Sequence, residues 1–234
     1  MRNIFNYEYK KLNQLSKYLP LTLIVSQILS LLFFIPIFQF IPGETNNQSV
    51  NTFILPFVTS LTFCIGTVYS SYFMNKFLLI YYIGNAKEKT YTLPLGRSDM
   101  LRQKISAFYY RFVVAFFVFI GLVNIIFIIS ADVFSLMDKI EVVPDILNSF
   151  SYVLITAVLA ITIVLTAIVM GLRQQSTNVN LITSIILVTI LSNVIARVGE
   201  MAIVFQLIVL VCLMVFNFLI IKYIQNKVQF DDVI

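Results

Sequence analysis

Residues Gly84 to Arg111 read GNAKEKTYTLPLGRSDMLRQKISAFYYR, a polar stretch between two long apolar segments. It carries Lys87, Lys89, Arg97, Arg102, Lys104 and Arg111 against only Glu88 and Asp99. So basic a segment does not sit in hydrocarbon, and the positive-inside rule assigns it to the cytoplasm. The rest of the chain takes its orientation from it. Of 234 residues, 59% are hydrophobic and 12% charged. Soluble domains average about 45–50% apolar and about 25% charged, so the reading is an all-α integral membrane protein with one transmembrane domain over residues 1–234.

Upstream, residues 1–18 place Phe5, Tyr9, Leu12, Leu15 and Leu19 at helical spacing, with Arg2, Lys10, Lys11 and Lys17 mostly between them. The pattern predicts an amphipathic helix lying in the inner interface; a frayed basic tail is the bland alternative. The first span, 19–41, starts after this basic segment and lacks a small-residue cleavage pattern, so it reads as a retained span. Pro20 fits its first turn, and Pro36 is expected to kink its outer end. The loop IPGETNNQSVN holds one acid and no base and is assigned outside.

The second span, 53–83, exceeds the roughly 20 residues that cross a bilayer, so its surplus should tilt or project into the cytoplasm. Ser60, Cys64, Thr67, Ser71 and Asn75 share one face of it. That face is either a small-residue packing seam or the polar wall of a translocation path. Lys76, about 35 Å along, is expected to snorkel at the inner interface.

Downstream, spans are expected at 108–130, 150–172, 181–196 and 201–223. The segment ADVFSLMDKIEVVPDILNS, with Asp132, Asp138, Glu141 and Asp145 against Lys139, is assigned outside. The loop RQQSTNVN, with Arg173 and Gln174, returns inside. Arg197, Gly199 and Glu200 form a tight outer turn or sit between re-entrant half-helices. Six spans put both termini in the cytoplasm, and all but Lys139 and Arg197 of the 16 basic residues then fall on that side.

Several chemistries have no sequence support. The chain has no histidine, no G-x-x-x-x-G-K-[ST] phosphate cradle and no acid assigned to mid-membrane, so neither a proton-driven pump nor a nucleotide-binding ATPase is indicated. Cys64 and Cys212 both lie in apolar runs and read as buried small hydrophobes rather than a disulfide or metal site. A membrane-embedded enzyme acting on lipid lacks its paired acids, Ser/His pair or zinc motif. The net charge of +5 follows from cytoplasmic loop bias and does not point to nucleic acid.

Within the loop, residues 86–91 suit a short helical turn, Pro94 breaks it, and Gly96 permits a turn. Ser98 or Asp99 can cap a helix through Leu101, Ile105 and Phe108 into the third span. Glu88, then Leu93-Pro94-Leu95-Gly96-Arg97, then Lys104, resembles the loop between spans two and three in permeases of the type-2 ABC transporter family. That resemblance implies six spans, an amphipathic N-terminal helix and a cytoplasmic coupling helix that docks on a separate ATPase. By it, Glu88, Lys89, Leu93, Pro94, Leu95, Gly96 and Arg97 would make the ATPase contact, and Arg173 and Gln174 a second, smaller one.

This chain differs from the commoner members in lacking a large extracellular domain and in the lysines flanking Glu88. Its compact form resembles permeases of Gram-positive peptide exporters, of the phenol-soluble modulin or lantibiotic-immunity type. The resemblance implies a half-transporter in the cell membrane that is not itself an enzyme. Two ATPase subunits with ATP and magnesium, and a second permease, identical or related, would complete it. The substrate would be an amphipathic peptide, and the chain itself would hold no cofactor. A non-transporting membrane scaffold or sensor that recruits a soluble partner through the same loop is the rival reading.

Overall fold

The computed structural model describes residues 2–39, 54–84, 87, 97–133, 142–198 and 201–229. The described residues form α-helices α1 (Arg2–Leu15), α2 (Leu19–Gln39), α3 (Ile54–Phe77), α4 (Arg97–Ala115), α5 (Gly121–Val133), α6 (Val142–Arg173), α7 (Thr177–Val198) and α8 (Ile203–Gln229). A π turn, Phe116–Ile120, fuses α4 and α5 into one rod. Six helices are therefore long and apolar enough to cross a membrane: α2, α3, the α4–α5 rod, α6, α7 and α8.

The helix ends carry charges that suit the helix dipole: Asp99 and Asp145 in first turns, Lys76, Arg173, Arg197 and Lys227 in last turns. Pro36 lies inside α2, where the bilayer context tolerates it. The first turn of α3 holds Pro56, whose missing N–H would have had no intrahelical partner anyway.

The bundle is built on α6. Of its spanning window 78% is buried, against 11% for α8. Helices α7, α8 and α3 pack on α6, and α3 in turn packs on α2 and α7. Buried amides and hydroxyls tie these contacts together. Gln27 of α2 donates to Asn124 of α5 at 2.7 Å, and Asn124 donates to Ser149 of α6 at 3.1 Å. Tyr152 of α6 donates its hydroxyl to the Pro56 carbonyl of α3 at 3.1 Å. Each such group has no water to turn to in an apolar bundle, so the pairs fix which helices meet.

Two features depart from the sequence reading. The second span is not one helix to residue 83. Its α-helix ends at Phe77, and Leu79–Tyr82 tighten into a 3₁₀ turn. Leu78, Leu79 and Tyr82 are all buried there. Gly84, at φ 60°, then takes the left-handed conformation that glycine accepts without strain. The face of α1 differs in part: Phe5, Tyr9 and Leu12 pack on the core as expected. Leu15 is exposed, whereas Glu8, Leu12 and Ser16, four residues apart, are buried. Ser16 reaches this face by donating its hydroxyl to the Leu12 carbonyl.

The third membrane-length rod is longer than its sequence window. From Ser98 to Val133 it has 36 residues, about 54 Å of helix. Helix α7, Thr177–Val198, is also longer than the 181–196 window. It ends at Val198, and α8 starts at Ile203. Gln206 of α8 reaches back to the end of α7, donating to the Val198 and Met201 carbonyls. The segments 42–52 and 134–141, together with Gly199, Glu200, Asp231 and Asp232, lie outside the described residues.

The close approach of α2, α3 and the π turn depends on Gly66. A Cβ there would stand 2.7 Å from Phe116 Cζ and 2.8 Å from Leu23 Cδ2, whereas one on Gly121 would meet only Phe150, at 3.4 Å. Helix propensity favours alanine over glycine at both sites by about 1 kcal/mol. Overpacking should reverse the sign at one of them. Thermal unfolding in detergent should show Gly66→Ala destabilised by about 1–3 kcal/mol and Gly121→Ala unchanged or stabilised. Equal effects at both sites would refute the tight packing of Gly66.

Candidate functional site

The basic side chains gather where α3 ends and α4 begins. Helix α4 presents Lys104 inward, one turn before Phe108, so its side chain is only 1% exposed. Its ammonium donates to the Phe77 carbonyl at 3.4 Å, at the end of α3. It also lies 4.1 Å from the Tyr81 ring centre and 5.4 Å from that of Phe77. An ammonium stripped of water is held here by a carbonyl dipole and two ring faces.

Tyr81 is shared. Lys11 of α1 donates to its hydroxyl at 2.9 Å and stands 4.7 Å from its ring centre. That hydrogen bond raises the Lys11 ammonium above its ordinary pKa, against an opposing effect of partial burial. Glu8 lies within electrostatic reach of both ammonium groups. Its carboxylate is buried, and Oε2 has no hydrogen-bond partner. Tyr9 of α1 also meets Tyr110 of α4 with ring centres 5.9 Å apart. The amphipathic helix, the end of α3 and the foot of α4 are thus clamped through one tyrosine.

These contacts bracket the polar loop. Glu88, Lys89, Leu93, Pro94, Leu95 and Gly96 lie outside the described residues, as does most of the helical turn expected at 86–91. Arg97 is the first residue of α4. Lys104, noted in the sequence as the loop's downstream base, proves to be one of the largest fully buried side chains.

The second short connection singled out in the sequence, between α6 and α7, is tight. Gly171 permits it, since a Cβ there would stand 2.8 Å from Leu79 Cδ2. The Ser176 N–H closes back on the Gly171 carbonyl at 3.1 Å, with Gln175 left-handed at φ 50°. Gln174 is exposed at the tip. Arg173 is held sideways, its Nε and Nη2 donating to the Tyr223 hydroxyl of α8 at 3.2 and 3.0 Å.

The polar face of α3 divides. Asn75 donates to the Thr177 carbonyl and accepts from Asn180 at 2.6 Å, and Asn180 also donates to the Ser71 carbonyl. Thr67 and Ser71 are fully buried, and their hydroxyls have no partner. Ser60 is partly exposed and donates to the Phe57 carbonyl. Alongside this face, an open apolar groove of about 650 Å³ runs between α3 and α7, lined by Cys64, Ile65, Val68, Tyr69, Leu181 and Ile185 among others.

Sequence reasoning missed Asn180, Gln27 and Tyr81 as organising residues. Gln27 carried a faint signal as a lone amide in an apolar run, whereas Asn180 was hidden at the end of the polar loop RQQSTNVN. Tyr81 carried none. Among the described residues no three His, Cys, Asp or Glu side chains form a group able to hold a metal. The site offers ammonium, amide and hydroxyl donors set in apolar walls, groups that bind and transmit force.

The fold and site define a multi-pass helical membrane protein by length and composition of its six apolar helices. Compared with protein-family models, curated proteins and solved structures, the chain matches none.

The clamp has a direct test. Tyr81→Leu removes both ring contacts and the Lys11 hydrogen bond, each cation–π contact being worth about 0.5–2 kcal/mol. Amide exchange across residues 2–15 should then accelerate about tenfold while α6 stays protected. Unchanged exchange in α1 would show that Tyr81 does not hold it.

Proposed function

We propose that this chain is the permease subunit of an ATP-driven ABC exporter of amphipathic peptides in the cell membrane, with both termini cytoplasmic. One observation carries the reading: the two ends of the basic 84–104 loop are locked together. Lys104 bonds the last carbonyl of α3, and Tyr81 joins both to α1. A displacement of the loop is therefore delivered to α1, α3 and α4 together.

In this mechanism two ATPase subunits bind ATP with magnesium and close on each other. They press on the coupling segment at Glu88, Lys89, Leu93, Pro94, Leu95, Gly96 and Arg97. The exposed tip at Gln174 makes a smaller second contact, while Arg173 stays bonded to Tyr223. Helix α3 tilts against α7, whose union at Asn75 and Asn180 lies at the loop end of the groove. An amphipathic peptide enters laterally from the inner leaflet, where the apolar walls receive one face. A second permease, identical or related, closes the path. The exposed apolar faces of α2 and α7 suit such a neighbour or lipid. The chain makes and breaks no bonds.

The tagged chain, co-expressed with its genomic neighbours and purified in mild detergent, should carry an ATPase. Glu88→Ala or Arg97→Ala should weaken that capture or uncouple hydrolysis from transport. If no ATPase activity co-elutes, the exporter reading fails. Partner capture that ignores nucleotide, with no change in the spans, would instead indicate a scaffold.

The groove is tested separately. Val68→Trp places an indole in it and should lower peptide export strongly while ATPase capture stays at the wild-type level. Undiminished export would remove the groove from the path.

A further inference from the structure

A second groove, between α6 and α8, has a different chemistry from the first. Its walls are Val169, Met170, Leu219 and Ile220, and its volume is about 400 Å³. Arg173 and Tyr223 also line it. They stand at the end of α6 that adjoins the short α6–α7 connection, on the side of the bundle that holds Lys11, Lys76 and Lys104. The guanidinium carbon lies 5.7 Å from the Tyr223 ring centre.

The donor inventory leaves this mouth unsaturated. A guanidinium has five N–H donors, and Arg173 uses two of them on one oxygen. The Tyr223 hydroxyl accepts both and keeps its own hydrogen to donate. The pair thus presents guanidinium N–H groups and a phenolic O–H together, fixed in place by their mutual bonds. Planar, preorganised donors of this kind suit a phosphate oxyanion. Behind them the walls are mostly apolar, and the one hydroxyl among them, Thr166, donates to the Ile163 carbonyl of its own helix. Apolar walls below and a cation with a hydroxyl at the rim match one amphiphile: an acyl chain under an anionic head.

We infer that the α6–α8 groove, with Arg173 and Tyr223 at its mouth, binds an anionic phospholipid of the inner leaflet, its phosphate on the two side chains and an acyl chain along Val169, Met170, Leu219 and Ile220. This rests on the same placement of the basic end at the cytoplasmic face, but it needs no ATPase. Such a lipid ties α8, the least buried helix, to α6 at the level of the α6–α7 turn.

The chain has no tryptophan, so one introduced residue is a unique fluorophore. Leu219, 56% exposed at the edge of the groove, leaves room for an indole to point outward, so Leu219→Trp reports from the groove wall with Arg173 and Tyr223 unsubstituted. Ile190→Trp, exposed on α7, reports the general lipid surface. The full chain is reconstituted in phosphatidylcholine vesicles containing brominated-chain phosphatidylglycerol or, in parallel, brominated-chain phosphatidylcholine. Quenching at Leu219→Trp should favour the anionic lipid about fivefold, the size expected of one basic side chain near a charged lipid. Quenching at Ile190→Trp should show no preference.

Adding Arg173→Gln should abolish the preference, Arg173→Lys should keep part of it, and Tyr223→Phe should reduce it. Unchanged phosphatidylcholine quenching of Ile190→Trp carrying Arg173→Gln verifies that the variant is folded in the bilayer. Equal quenching by both lipids at Leu219→Trp would overturn the site, as would a preference that survives Arg173→Gln. Loss of the preference in millimolar inorganic phosphate would make it a soluble-anion site and overturn the lipid assignment. The vesicle result and the ATPase capture can fail independently.

Discussion

Lys104 is a cation taken out of water and kept there by a carbonyl and two aromatic rings. A bare ammonium in an apolar bundle is costly, so these groups must stay where they are while it remains buried. That requirement fixes the end of α3 against the foot of α4. It also fixes Tyr81, and through Tyr81 it fixes Lys11 and α1. The position of both ends of the polar loop, and hence any mechanical role for that loop, depends on this one buried charge.

The same logic recurs higher in the bundle with neutral groups. Gln27, Asn124 and Ser149 join three helices, and Asn75 and Asn180 join two more. Individually such bonds contribute little in membranes, roughly 0.6 kcal/mol on average. Their larger effect is on specificity. Apolar side chains pack nearly as well on lipid as on one another, so a helix rotated to the wrong face loses few contacts. A rotated amide loses its only partner. Gly66 and Gly171 act in the complementary way, admitting close neighbours that any Cβ would push apart.

Against this frame, the two grooves differ because their rims differ. The α3–α7 groove is bounded by apolar side chains and a few aromatics, and suits the apolar face of a passing peptide. The α6–α8 groove ends at a guanidinium already oriented by a tyrosine, and suits a resident amphiphile with an anionic head. Arg173 shows how context decides a residue's use. In the sequence it is a charge in a short loop, available to a soluble partner. In the fold it faces α8.

The helical class and the six spans were legible in the sequence. Both are one-dimensional properties: a bilayer demands long uninterrupted apolar runs, and backbone groups in hydrocarbon must be satisfied within the helix. The basic loop was legible for the same reason, as a break in those runs. Partnership was not legible. On α1, Leu15 points outward while Glu8 and Ser16 turn inward beside the expected Leu12, and periodicity alone cannot tell an outward-facing leucine from a core one. Residue spacing gave no sign that Tyr81 lies between two lysines, one 70 positions upstream and one 23 downstream. Local propensity and hydropathy set the elements, whereas tertiary structure decided which of the scarce polar groups found each other, because only in three dimensions does a buried donor meet its acceptor.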